Sequence, residues 1–210
     1  MADFIPCSQL ITKCPDQEGD ELVTKFVDFS SKYGIGYKLS NGAFGVLFND
    51  STKIITSSNL FHFVYIDRVR DDQHAANTVE SANEHTFFDY PASINKKVVL
   101  LQHFKSYLEG NSKFRPMTFD FTKDNQPARP SDLDNLSYIK KWKRAKKAIL
   151  LRNSNKVIQV LFSDQSELVL ASGSGIVTFV NSKREIKTCP LQSSEQPQLE
   201  ISDPSLFKRL

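Results

Sequence analysis

From Lys25 onward the chain reads as short apolar-rich runs, KFVDFSS, GYKLSN, FGVLFND, TKIIT and FHFVYID, broken by turn residues. β-Branched and aromatic side chains fill these runs. Gly34, Gly36, Asn41-Gly42 and Asn49-Asp50 separate them, as expected of strands joined by tight turns. Asn41-Gly42 between two runs is a strong hairpin signal, and the spacing predicts an antiparallel meander. The period then changes. In ASINKKVVLLQHFKSYLEG the apolar positions Ile94, Val98, Leu101, Phe104, Tyr107 and Leu108 fall on one face of a helix. Ser93 is placed to cap its start and Gly110 to end it.

Residues 1–21 are mostly polar and read as a leader or linker; 22–110 form the first unit. Residues 111–136 carry three prolines and read as a second linker, with a short extended piece expected at MTFDF. Residues 137–210 form the second unit, in which YIKKWKRAKK, AILLRNS, VIQVLFSD, SELVLAS, IVTFVNS and EIKTCPL read as strands. DPSLFKRL offers a closing helix, with Asp203 as N-cap and Pro204 at the first helical position. It stops after about two turns and reads as truncated.

The two units repeat. LFNDSTKIIT at 47–56 is answered by LFSDQSELVL at 161–170, and Lys25-Phe26 by Lys141-Trp142. Tyr37-Lys38-Leu39 matches Ile149-Leu150-Leu151 only loosely. Two copies of a half-domain are expected to finish their cores against each other and to leave a groove at the seam. One difference stands out: Glu167 takes the place of Lys53.

Composition narrows the function. Hydrophobic residues make up 40% of the 210, enough for a sizeable core. The net charge of +3 does not by itself call for nucleic acid or a membrane. No apolar run approaches the roughly 20 residues that span a bilayer, and the first residues lack the pattern of a secretory signal. Cys7, Cys14 and Cys189 are too few and too far apart for a disulfide framework or a zinc site, which fits a reducing, intracellular setting. His62, His74, His85 and His103 are scattered. No nucleophile, metal box or carboxylate pair supports catalysis.

The stretch KFVDFSSKYGIGYKLSNGAFGVLFNDSTKII, residues 25–55, resembles the first polo box of the polo-like kinases. The family pattern runs from an aromatic residue and V-D-Y/F-S through KYG-x-GY-x-L to GVLFND-S/T. KKVVLLQHFKSYL is similar to the helix closing that box. YIKKWKRAKKAILL and VIQVLFSDQSELVL are similar to the opening strands of the second box. The resemblance covers roughly residues 22–190. It implies an α+β fold of two polo boxes, each a six-stranded antiparallel sheet with one helix, packed together. It also implies a non-catalytic module of a serine/threonine kinase, without a cofactor. Such a module docks phosphorylated Ser-pSer/pThr motifs between its boxes, recruits the kinase to centrosomes, spindle, kinetochores or basal bodies in cytoplasm and nucleus, and restrains its own kinase domain. A glycine-rich phosphate loop, HRD and DFG are all absent from the sequence. A monomer that touches neither membrane nor nucleic acid is expected.

The resemblance also locates a site and shows where this chain departs from it. In phosphopeptide-binding members a His and a Lys, two residues apart just after F-x-D, hold the phosphate. Here Phe162 opens that motif, and the matching positions are Gln165 and Glu167. Gln165 can donate a hydrogen bond but carries no charge, and Glu167 would repel a phosphate of charge near −2. Losing two charge-assisted hydrogen bonds of roughly 1.5–3 kcal/mol each is expected to weaken binding about a hundredfold to ten-thousandfold. The family's groove tryptophan is Phe26 here, which keeps apolar area but lacks the indole N–H. Val27 and Asp28 match residues beside the peptide, and Arg144 matches a family arginine near the site.

Lys143, Lys146 and Lys147 add charge. Strand alternation is expected to put Lys143 and Lys147 on one face and Arg144 and Lys146 on the other, either a candidate for a displaced phosphate contact. Simpler readings stand beside these. Gln165 and Glu167 can be a solvated turn, Phe26 can be core, and Lys140 to Lys147 can be a solvated strand face or a nucleic-acid or nuclear-import patch. Two functions remain open: docking of phosphorylated or unphosphorylated protein ligands with altered phosphate dependence, or a phosphate-independent or autoinhibitory interaction surface.

Overall fold

The strand and turn signals of the sequence correspond to two series of short strands in the computed structural model. It describes residues 10, 20–70, 78–111, 113–115, 117 and 131–191. The first unit is a six-stranded antiparallel meander: β1 (Val23–Phe29), β2 (Gly34–Leu39), β3 (Phe44–Phe48), β4 (Lys53–Thr56), β5 (His62–Arg70) and β6 (Thr78–Thr86). The second is another: β7 (Ile139–Arg144), β8 (Ala148–Asn153), β9 (Val157–Phe162), β10 (Glu167–Ala171), β11 (Ile176–Val180) and β12 (Ile186–Pro190). One α-helix, α1 (Asn95–Leu108), closes the first unit. The segment expected to form the second closing helix lies outside the described residues, as does all of MTFDF but Met117.

Alternation along each strand decides what packs where. On the first sheet Val27, Val46, Phe48, Ile54 and Phe63 face α1 and meet Val98, Leu101, Phe104 and Leu108. The opposite face carries Phe26, Ile35, Tyr37, Leu47 and Ile55, which pack with Ile139, Ile149, Leu151 and Leu161 of the second sheet. The first sheet is thus covered on both faces, which explains why Phe44–Phe48 is buried at every position.

Two close approaches depend on glycine. A Cβ on Gly36 would run into the ring of Phe104, and a Cβ on Gly45 into the ring of Tyr37. The Tyr37 hydroxyl, fully buried, accepts a 3.1 Å hydrogen bond from the Ile139 N–H across the seam.

Three details differ from the sequence reading. Ser93 does not cap the helix: it lies in a 3-10 turn, Ala92–Ile94, and Ile94 is the N-cap without a side-chain bond. The chain turns into α1 through this tighter spiral behind Pro91, so the cap position falls later. The other end is as expected. Gly110 has φ +80°, its N–H bonds the Tyr107 carbonyl at 2.9 Å, and the Asn111 N–H bonds the Ser106 carbonyl at 3.1 Å, a Schellman closure. Second, β6 reads TVESANEHT and carries no apolar alternation, because it is an exposed edge. Third, the leader contributes to the core. Leu10 is buried against the inter-sheet cluster and its N–H bonds the Thr24 carbonyl at 3.2 Å.

Candidate functional site

The repeat is exact enough in hydrogen bonding to identify equivalent positions. In the β3–β4 turn Asp50 Oδ1 accepts from the Thr52 N–H and hydroxyl; in the β9–β10 turn Asp164 Oδ1 accepts from the Ser166 N–H and hydroxyl. Ser51 (φ +69°) and Gln165 (φ +70°) hold the same left-handed position. Both opening strands carry a bulge, at Val23/Lys25 and at Ile139/Lys141. Phe26 is therefore equivalent to Trp142, Asp28 to Arg144 and Lys53 to Glu167. Tyr37 lies opposite Phe26, and Leu151 opposite Trp142. Tyr37 therefore matches Leu151, and the looser pairing of Tyr37 with Ile149 is out of register by two.

Directly paired residues share a face, so cross-strand rows can be read from the register. In the first sheet one row runs Asp28, Ile35, Leu47, Lys53. Its counterpart in the second runs Arg144, Ile149, Leu161, Glu167. Both rows face the seam, both have two aliphatics in the middle, and the charges at their ends are opposite in sign.

The near ends meet: Arg144 Nη1 lies 3.3 Å from Asp28 Oδ2. Asp28 is held by its own chain as well, since its Oδ1 accepts from the Ser30 N–H at 2.9 Å. This contact joins β1 and β7, which are the edge strands of their sheets.

The far ends are neutralised separately. Lys53, 2% exposed, donates to Glu80 Oε1 at 2.7 Å on β6. Tyr138 donates to Glu80 Oε2 at 3.0 Å, and the Lys53 ammonium lies over its ring. Burial tends to raise the Glu80 carboxyl, but the bonds from Lys53 and Tyr138 and the charges of Lys53 and Lys140 outweigh it and hold it below its ordinary value. Burial, followed by the neighbouring Glu80, pushes the Tyr138 hydroxyl up to about 12.

Glu167, also 2% exposed, is paired with Arg184, which sits at φ +67° in the turn before β12. Arg184 was not singled out from sequence. The only signal was the polar run NSKRE between two strands, which says turn and not partner.

Of the residues expected at the site, Phe26, Asp28, Arg144 and Glu167 share the seam-facing side. Phe26 is 3% exposed and belongs to the inter-sheet core. Gln165 is an exposed turn residue beside Glu167. The other side chains point elsewhere. Val27 faces α1, and Lys143 and the half-buried Phe162 lie on the far face of the second sheet, opposite Arg144 and Leu161. Val27 stays relevant to a ligand through its backbone, because β1 is an edge strand. Lys146 and Lys147 do not alternate along a strand: β7 ends at Arg144, and Ala145 closes a hairpin by donating to the Ala148 carbonyl at 2.8 Å. Both lysines occupy that turn.

Residues 31–98 and 145–210 match the family profile described as POLO box duplicated region. The chain is 40% identical over 166 residues to the probable serine/threonine-protein kinase CCRP1 of Zea mays, covering 79% of this chain and 24% of that protein. It is 31% identical over 170 residues to the serine/threonine-protein kinase PLK1 of Xenopus laevis, covering 80% of this chain and 26% of that protein. The chain thus spans about a quarter of the length of these curated relatives. Among solved structures it is similar to the budding yeast Cdc5 polo-box domain in complex with Spc72 phosphopeptide, at 26% identity and TM-score 0.62, over 84% of this chain and 61% of that one. The polo-box domain of Cdc5 from budding yeast, at 22% identity and TM-score 0.66 over 94% and 76% of the two chains, agrees in fold.

Proposed function

This chain belongs to the polo-box family, a non-catalytic binding module, and from that premise we propose that it docks peptide segments of partner proteins between its two sheets with a weakened dependence on phosphate. The related Cdc5 domain was solved with a phosphopeptide, which supports peptide docking as the activity. The polo-like kinase relatives support a role in targeting a serine/threonine kinase during the cell cycle, inside the cell and at spindle-related structures.

One observation carries the weakened phosphate dependence. At the two positions where phosphate-binding members place cations, this chain has an exposed amide, Gln165, and a buried carboxylate, Glu167, already satisfied by Arg184. Arg144, at the seam, and Arg184, beside Glu167, are each engaged by a carboxylate of the chain itself. A phosphate has to compete with those pairs. Charge-assisted bonds that merely replace existing ones add little affinity.

The test is fluorescence polarisation of a Ser-pThr-Pro peptide and its unphosphorylated twin. The expected result is a preference for the phosphorylated form of about tenfold or less, against the larger ratio that two free cations would give. Gln165→Lys, an exposed turn substitution, is expected to raise that preference, and Glu167→Lys should do so wherever its melting temperature shows it folded. Arg144→Ala should abolish whatever preference the wild type has. A wild-type preference beyond about a hundredfold overturns the reading. Equal or absent binding that no variant changes favours the phosphate-independent surface instead.

A further inference from the structure

The strand that supplies Arg144 carries far more positive charge than one ion pair to Asp28 requires. Between Ile139 and Arg152 there are seven cations, Lys140, Lys141, Lys143, Arg144, Lys146, Lys147 and Arg152, and no acid. All seven are exposed. Arg144 has Asp28, and Lys140 lies within the field of Glu80. None of the other five makes an ion pair among the described residues. Lys141 and Arg152 stand directly opposite each other across the β7–β8 ladder, where like charges repel. Lys146 and Lys147 are adjacent in the turn that follows Arg144.

We propose that the β7 edge and its turn form an extension of the docking groove that binds acidic residues flanking the docked segment of a partner polypeptide. This deepens the docking function above and rests on it. Continuity supports it: β7 is an edge strand, and its last residue already reaches β1 across the seam, so a segment lying along that seam passes the lysine turn. Complementarity supports it too. A row of unpaired cations costs stability through self-repulsion and is relieved by a facing anionic strand. It fits polypeptide better than nucleic acid. The one aromatic within the run, Trp142, is half-buried and packed against the inter-sheet core, so no ring is offered for base stacking. The extension also offers a route to affinity that does not use the phosphate positions.

Four versions of the Ser-pThr-Pro peptide test it: three Gln before the motif, three Glu before it, three Gln after it and three Glu after it. Binding is measured to the 210-residue chain and to Lys146→Glu/Lys147→Glu, with melting temperature as the control for folding. One of the two Glu peptides is expected to bind about three- to tenfold tighter than its Gln partner. The ratio of Glu-peptide to Gln-peptide affinity should fall to about one in the double variant and at about 0.5 M salt. Gln peptides that bind with no gain from Glu at either end overturn the extension and leave the docking reading standing. Failure of all four peptides overturns both. Duplex DNA, single-stranded RNA or phosphatidylserine vesicles that bind more tightly than the Glu peptides, and are lost in the double variant, overturn the polypeptide assignment.

Discussion

Lys53 and Glu167 answer each other across the repeat, and each is almost wholly buried at the seam-facing end of a strand row. A charge in that position has to be matched, and each sheet supplies its own partner, Glu80 in one and Arg184 in the other. The consequence for Glu80 can be measured. Its carboxyl titrates below the ordinary value in the folded chain and near 4.3 when unfolded. Its contribution to stability is therefore complete above about pH 4.3 and is lost as pH falls through the lower, folded value. Glu80→Gln is expected to cost about 1–3 kcal/mol at pH 7, since it leaves Lys53 buried without a counter-charge. Urea midpoints taken from pH 7 down to pH 3 should converge for the two proteins. Parallel curves would mean that the pair carries no linkage. Sequence comparison exposed the Lys53/Glu167 difference, but it could not tell a repelling carboxylate in an open site from a satisfied one. That depends on Arg184, which is distant in sequence and has no motif.

Among the elements, the strands were legible and their partners less so. Alternation and turn residues located eleven of the twelve strands, and the helix period located α1. The strand that escaped, β6, is an edge and has no buried face to write into its sequence. Glycine supports the contacts between elements. Gly36 lets α1 approach the first sheet, and Gly45 makes room for the Tyr37 ring that reaches β7. Gly45→Ala is expected to destabilise by about 1–3 kcal/mol through overpacking, read as a lower urea midpoint at unchanged slope. An unchanged midpoint would mean that Tyr37 can move aside and that its bond to Ile139 adds little.

Across the whole molecule the two sheets share the inter-sheet cluster and should unfold together. Leu22, just before β1, packs with Val157, Val169, Ala171 and Val180 of the second sheet. Gln159, fully buried on β9, accepts from the Val23 N–H at 2.7 Å and donates to the Val23 carbonyl at 3.1 Å. One side chain thus satisfies both polar groups of a first-sheet residue. Trp142 is the sole tryptophan and reports on the second sheet. Its fluorescence and far-ultraviolet circular dichroism are expected to give one coincident transition in urea. Gln159→Leu should cost about 1–3 kcal/mol of stability for each backbone group left unpaired and so lower that midpoint, while keeping the two probes together. Separate transitions in the wild type would show two independent units.

The amino-acid sequence by itself determined every strand but β6, the helix α1, the repeat and the family, because these are written in local periodicity and in contiguous motifs such as KYGIGYKL and GVLFND. It also placed Asp28 and Arg144 as site candidates. Which side chains share a face of the seam was decided only by the tertiary structure. Register turns Val27, Lys143 and Phe162 away from Asp28 and Arg144, and a bulge in each opening strand sets that register. The pairing of Glu167 with Arg184 was likewise a tertiary matter, since a buried charge finds its partner through space.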